Sequence, residues 1–247
     1  MEQRVVAATR SGFDDGLSDE ECALDPRYVD GYRHWQRGSE LGALKPHVRE
    51  LIGMAVNASV TTLNLSGMRR HLRYALEHGA TRRQVLEALE LVSVVGIHCF
   101  NTAAPIVLEE FGVTVTDLSA RHTTPEQDAI RVEWERRRGR WPESFTNWTK
   151  LAQEFIAGYG DYSSAPWDSE DGLEPKEREF ILVAMNAVTT HLFLGGIRFH
   201  TRSAIEHGAT QEELLEVLAV SSLISMQTFS HGARALLEYE RSAGTDT

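Results

Sequence analysis

The stretch Gly67-Met-Arg-Arg-His71-Leu-Arg-Tyr-Ala-Leu-Glu-His-Gly-Ala-Thr81 returns 129 residues later as Gly196-Ile-Arg-Phe-His200-Thr-Arg-Ser-Ala-Ile-Glu-His-Gly-Ala-Thr210. Sliding the chain on itself by 129 pairs 44–110 with 173–239 without a gap and gives 29 identities in 67 positions. Self-similarity at a fixed offset marks an internal repeat, so the chain reads as two tandem, pseudo-symmetric units. Within each copy the pattern is helical. Gly67, His71 and Tyr74 fall at i, i+4, i+7, and Arg69, Arg73 and Glu77 form a separate charged stripe. His78-Gly79 and His207-Gly208 supply helix ends, because Gly accepts the left-handed residue of a C-cap and His complements the helix dipole. Thr81-x-x-Gln84 and Thr210-x-x-Glu213 are capping boxes that start the next helix.

Working outward, Pro46 opens a helix in the first repeat on which Glu50 and Asn57, seven apart, share a face, as do Glu179 and Asn186 in the second. A Thr-rich bend separates this helix from the signature helix. The helix that follows, at 82–98 and 211–227, is apolar around most of its girth and is expected to be buried. Asp25-Pro26 and Thr124-Pro-Glu-Gln127 are further helix starts. Tyr28, Tyr32 and Trp35 form an aromatic stripe read mainly as core. Residues 158–172, rich in Gly, Ser and Asp, read as the longest irregular segment, a linker or a lid. No segment demands a strand, and the fold class is all-α. The expected organisation is an arm at 1–24, a first repeat at 25–113, a connecting helical segment at 114–141 and a second repeat at 142–240.

A formal charge of −11 argues against a nucleic-acid partner, and the run Arg136-Arg137-Arg138 is read as a solvated helix end. The two cysteines, Cys22 and Cys99, stand in no disulfide or metal-ligand spacing. Charge interrupts the N-terminus before a signal segment forms, and no apolar run approaches the roughly 20 residues that span a bilayer. A cytoplasmic protein with no membrane partner is expected.

Leu44-x-Pro-x-x-Arg-Glu50-Leu-Ile, followed by His71-Leu-Arg-x-Ala-Leu-x-x-Gly-Ala-Thr81, resembles the carboxymuconolactone decarboxylase and alkylhydroperoxidase D superfamily. The second copy resembles it through Leu173-x-Pro-x-x-Arg-Glu179 and His200-x-Arg-x-Ala-Ile-x-x-Gly-Ala-Thr210. The resemblance implies a compact helical unit that assembles further, here as a homo-oligomer such as a trimer of double units, with sites near unit interfaces. The hydroperoxidase branch carries Cys-x-x-Cys-x-x-x-His. This chain has Asn64 and Gly67 before His71, and Phe193 and Gly196 before His200, so no thiol is placed to attack a peroxide. The resemblance therefore favours the cysteine-free branch, which acts on small carboxylated lactones.

Losing CO2 from a conjugated lactone requires a clamp on carboxylate, a donor to the developing enolate oxygen and a general acid for carbon, and no cofactor. Histidine suits the acid role because its pKa lies near neutrality. His71 and His200 are the candidate catalytic acids, with Glu50 and Glu179 orienting them. Asn57 and Asn186 are candidate oxyanion donors, and Arg69 and Arg198 candidate carboxylate clamps. The copies differ where Thr62 faces His191, His98 faces Gln227 and Thr102 faces His231, which makes His191 and His231 further candidates for a small-molecule substrate. No metal is expected, since His191, His200 and His231 follow no metal motif. The competing reading is a non-catalytic binding or assembly module with structural histidines.

Overall fold

A computed structural model describes residues 16–244, and every regular element in it is helical. α1 (Asp19–Leu24) and α2 (Pro26–Gly38) precede α3 (Pro46–Ala58), α4 (Leu65–Glu77) and α5 (Arg82–Ser93). A 3-10 turn, Val94–Gly96, runs from α5 into α6 (Ile97–Glu110). Next come α7 (Val115–Ser119), α8 (Pro125–Arg138), α9 (Glu143–Leu151) and α10 (Gln153–Ser164), which ends in a second 3-10 turn, Ala165–Asp168. The set at 46–110 then recurs at the 129-residue offset. It comprises α11 (Pro175–Ala187), α12 (Leu194–Glu206), α13 (Gln211–Ser222), a 3-10 turn Leu223–Ser225 and α14 (Met226–Gly244).

The local chemistry follows the sequence where caps decide it. Gly79 and Gly208 sit at φ +93° and +84°, and the 81/84 and 210/213 capping boxes are both formed. Pro46 and Pro175 occupy first turns, where their missing N–H costs nothing. Leu63 and Leu192 share φ +47°, an uncommon conformation for leucine that turns the chain sharply between α3 and α4 and between α11 and α12. The bend is fixed by backbone bonds, Leu63 N–H to Ser59 O at 2.8 Å and Asn64 N–H to Asn57 O at 2.9 Å, repeated in the second copy.

Helices α3 and α11 lie against each other at the centre, flanked by α5 and α13, and both are buried from their second turn to their last. Leu51, Ile52, Met54, Phe180, Ile181 and Met185 form the heart of this core. Two buried ion pairs tie the copies together reciprocally. Glu87 of α5 meets Arg178 of α11 and accepts from Leu173 N–H, while Glu216 of α13 lies 3.6 Å from Arg49 of α3 and accepts from Ala43 and Leu44 N–H.

A second cluster, Trp134, Trp141, Phe145, Trp148 and Ile156, packs the connecting helices on Ile97 and Phe100 of α6. The related face of α14 is instead covered by α1 and α2, through Arg234–Glu21 at 3.0 Å and the Tyr28 and Phe229 rings at 4.8 Å.

Several sequence readings are corrected. Residues 158–172 are largely helical, because packing of Ile156 and Tyr159 overrides their glycines. Within the presumed arm, residues 19–24 form α1 with a Ser18–Glu21 capping box, and residues 1–15 lie outside the described region. Tyr28 and Trp35 are about half exposed and line an open groove with Met226, so of the aromatic stripe only Tyr32 packs against the core. Arg82–Glu110 is long and apolar enough by composition to cross a membrane, and 28% of its most apolar window is buried inside the fold.

Two candidate sites, each roofed by the other repeat

The signature helices α4 and α12 each run past the preceding central helix and set a buried histidine beside its glutamate. His71 Nδ1 and Glu50 Oε2 are 2.8 Å apart, and His200 Nδ1 and Glu179 Oε2 are 2.7 Å apart. All four side chains are buried. Burial would raise the Glu179 carboxyl, but His200, Arg138 and a bond from Ser203 outweigh it and hold the group below its ordinary range. A carboxylate only accepts, so His200 Nδ1 carries the proton and Nε2 is the nitrogen left for other work. Burial pushes His71 below its ordinary value, against the opposing pull of Glu50.

The glycine four residues before each histidine is forced by the neighbouring asparagine. A Cβ at Gly67 would lie 2.5 Å from Asn64 Nδ2 and 2.7 Å from Asn57 Cγ, and one at Gly196 would lie 2.5 Å from Asn186 Cγ and 2.9 Å from Phe193 Cδ1. Each asparagine donates Nδ2 to the carbonyl four residues back, at 2.7 Å. Beyond that bond the copies part. Asn57 Oδ1 accepts from Asn64 Nδ2 at 2.8 Å and from Gln227 Nε2 at 2.9 Å. The equivalents of those donors are Phe193 and His98, and Asn186 Oδ1, fully buried, has no hydrogen-bond partner among the described residues.

The first cavity encloses ≈ 40 Å³ between His71, Asn57, Asn64 and Arg70, with Gln227 and His231 from α14 and Tyr32 from α2. The second is larger, ≈ 290 Å³, and is walled by His200, Gly196, Phe193 and Phe199 of α12, by His98 and Asn101 of α6, and by Trp134, Arg138 and Tyr159. His98 Nδ1 lies 2.7 Å from His191 Nε2, and its ring stacks on Phe193 with centroids 4.1 Å apart. Burial, helped by His191 and His200, pushes His98 down to about 3.

The sequence-predicted residues are thus distributed over two places. His71, Glu50, Asn57 and His231 belong to the first site, and His200, Glu179, Asn186 and His191 to the second. His231 is thereby parted from His191 and His200, and among the described residues no three His, Cys, Asp or Glu side chains are grouped to hold a metal ion. Arg69 and Arg198 are exposed and line neither cavity. Arg138 was not anticipated. Only Arg136 of its triplet is solvated, while Arg137 pairs with Asp168 and Arg138 turns into the second cavity.

A helical fold with a buried His–Glu pair in each of two related units, and no thiol beside either, defines a class, and comparison with known proteins agrees. The sequence model described as the carboxymuconolactone decarboxylase family matches residues 152–238. A crystal structure from Burkholderia xenovorans, itself provisionally described as a gamma-carboxymuconolactone decarboxylase subunit, is 34% identical and superposes with a TM-score of 0.82 over 92% of each chain. No curated protein is significantly similar. The chain belongs to the carboxymuconolactone decarboxylase family.

Proposed function

We propose that this protein is a cofactor-independent lyase or isomerase acting on a small anionic unsaturated lactone or ring carboxylate, with His200 as its general acid and base. The observation that carries this reading is the buried 2.7 Å pair of His200 Nδ1 and Glu179 Oε2 on the wall of a ≈ 290 Å³ cavity. Glu179, held as a carboxylate, fixes the ring and its tautomer and stabilises the imidazolium formed when Nε2 takes a proton. In a decarboxylation the bond to the carboxylate carbon breaks, CO2 leaves, and the electron pair enters the conjugated carbonyl. A proton from Nε2 then reaches carbon and is replaced from solvent. An isomerase would use the same nitrogen to remove and return a single proton.

The first repeat supports a more structural reading of its histidine. Its cavity has room for only a few water molecules, and its amides are paired with each other. The test is a panel of carboxylated unsaturated lactones followed by loss of ultraviolet absorbance. His200→Asn should lower kcat by about 10²-fold or more, the usual worth of a positioned acid or base, and His71→Asn should cost roughly tenfold or less. Turnover that survives His200→Asn would remove that residue from the mechanism.

A further inference from the structure

The second cavity holds a cation, Arg138, with no carboxylate within ion-pair distance among the described residues. Arg138 donates through Nη1 to Ser163 Oγ at 3.2 Å, and its guanidinium lies 4.3 Å from the Trp134 ring centroid and 4.0 Å from that of Trp167. Tyr159 also accepts a hydrogen bond from it and Glu179 acts on it only at longer range, whereas Arg136 and Arg137 beside it pair directly with Glu133 and Asp168. With indoles over the guanidinium and Ser163 and Tyr159 taking part of its in-plane N–H edge, the rest of that edge is the surface left to a ligand, and it matches a carboxylate.

Charge and shape on the remaining walls narrow the ligand. His98 is neutral at any ordinary pH and burial also lowers His191, so the imidazole pair adds no positive charge at neutral pH. Glu143 lies in the wall and Glu179 stands behind His200, and either would repel a second negative group. Phe193, Phe199 and Tyr159 supply flat aromatic surface, and Asn101, on the same wall, has a buried amide oxygen with no partner. We propose that this cavity binds planar, conjugated ring monocarboxylates, seating the carboxylate on Arg138 and the ring against these aromatic walls, and that it rejects dicarboxylates. The inference deepens the lyase reading by naming its substrate class, and it rests on the His200 cavity being the working one.

Isothermal titration of the full chain with simple probes tests it. Benzoate should bind, and wild-type protein should bind neutral benzamide, dianionic isophthalate and non-planar cyclohexanecarboxylate at least tenfold more weakly. Arg138→Met should weaken benzoate tenfold or more and leave benzamide within about twofold. Failure of benzoate to bind at millimolar concentration, equal affinity for benzoate and any of the three comparison ligands, or a folded Arg138→Met protein with unchanged benzoate affinity would each overturn the inference. Should Arg138→Met fail to fold, the wild-type comparison still decides. Benzoate binding that follows these rules in a protein with no lactone turnover would remove the lyase reading and leave the site standing.

Discussion

Replacing Gly67 by Ala is a small change with an outcome opposite to the usual one. In an open helical position the substitution stabilises by about 0.5–1 kcal/mol, through helix propensity and a less flexible unfolded chain. At Gly67 the new Cβ would overlap Asn57 Oδ1 and come within 2.5 Å of Asn64 Nδ2, two atoms that hydrogen-bond each other. Asn57 cannot retreat without also losing the bond from Gln227 at 2.9 Å, and the site is buried. Overpacking costs about 1–3 kcal/mol and a stranded buried amide another 1–3. Less the propensity gain, Gly67→Ala should destabilise by about 2–4 kcal/mol. For a chain of this size each kcal/mol lowers Tm by roughly 2–4 °C, so a fall of about 5–15 °C is expected by calorimetry or circular dichroism. Gly232→Ala is the control, since a Cβ there meets nothing within 4 Å and should leave Tm level or slightly higher. In an Asn57→Ala background the overlap with Asn57 is gone and Asn64 Nδ2, released from its bond to Asn57 Oδ1, is free to move off the new Cβ, so Gly67→Ala should cost about 1 kcal/mol or less, a strong non-additivity between neighbours. A Gly67→Ala protein melting at or above wild type, or the same penalty in both backgrounds, would refute the packing account.

Two further outcomes follow from buried charge. Arg178→Met leaves the fully buried Glu87 to Leu173 N–H and to Arg83, 4.0 Å away, and should cost about 2–4 kcal/mol in urea unfolding, whereas Arg136→Met, removing an exposed pair with Glu133, should cost less than about 1 kcal/mol. The folded value of about 3 for His98 lies below the unfolded value near 6.5, so the unfolded chain binds the extra proton and stability falls as pH drops through that window. Its share of the slope should be roughly 0.7–1.4 kcal/mol per pH unit, the lower end allowing for the ring's partial exposure, and His98→Gln should remove that share and leave those of His71 and His191. Urea midpoints for the two proteins that run parallel from pH 7 to pH 4 would exclude His98 as the source.

Periodicity and cap chemistry made the repeated hairpin legible, because Gly79, Thr81 and Gln84 act through local backbone bonds that need no tertiary context. The His71–Glu50 and His200–Glu179 pairs were legible too, since the same two residue types recur at the same 21-residue separation in both copies. Arg138 was not. Three consecutive arginines on a helix point about 100° apart, so one can face a cavity while its neighbour is solvated, and composition averages them into a surface run. The helical course of 158–164 was hidden for a related reason. Gly158 and Gly160 weaken the local preference, and the packing of Tyr159 against Trp134 and Phe145, which restores it, comes from distant sequence.

The unlike character of the two sites has the same origin. Each central and signature helix brings the same glutamate, asparagine, glycine and histidine, so the repeats alone would build two equivalent cavities. What differs is the cover. The first site is closed by Tyr32 from α2 and by Gln227 from α14, and Gln227 joins Asn64 in pairing both lone pairs of Asn57 Oδ1. The second is covered by α8 and α10, which have no counterpart in the repeat, and Phe193 and His98 replace the two amide donors. Leaving Asn186 Oδ1 buried and unpartnered costs about 1–3 kcal/mol that the first site does not bear. Strain of this kind is retained where a neighbouring requirement outweighs it, and at the second site that requirement is the wider, aromatic cavity beside His200 and Arg138. The difference between the two cavities is therefore written mainly in the segments outside the duplicated signature. The two copies supply the same His–Glu pair, and the non-repeated helices decide which of them opens onto the wider cavity.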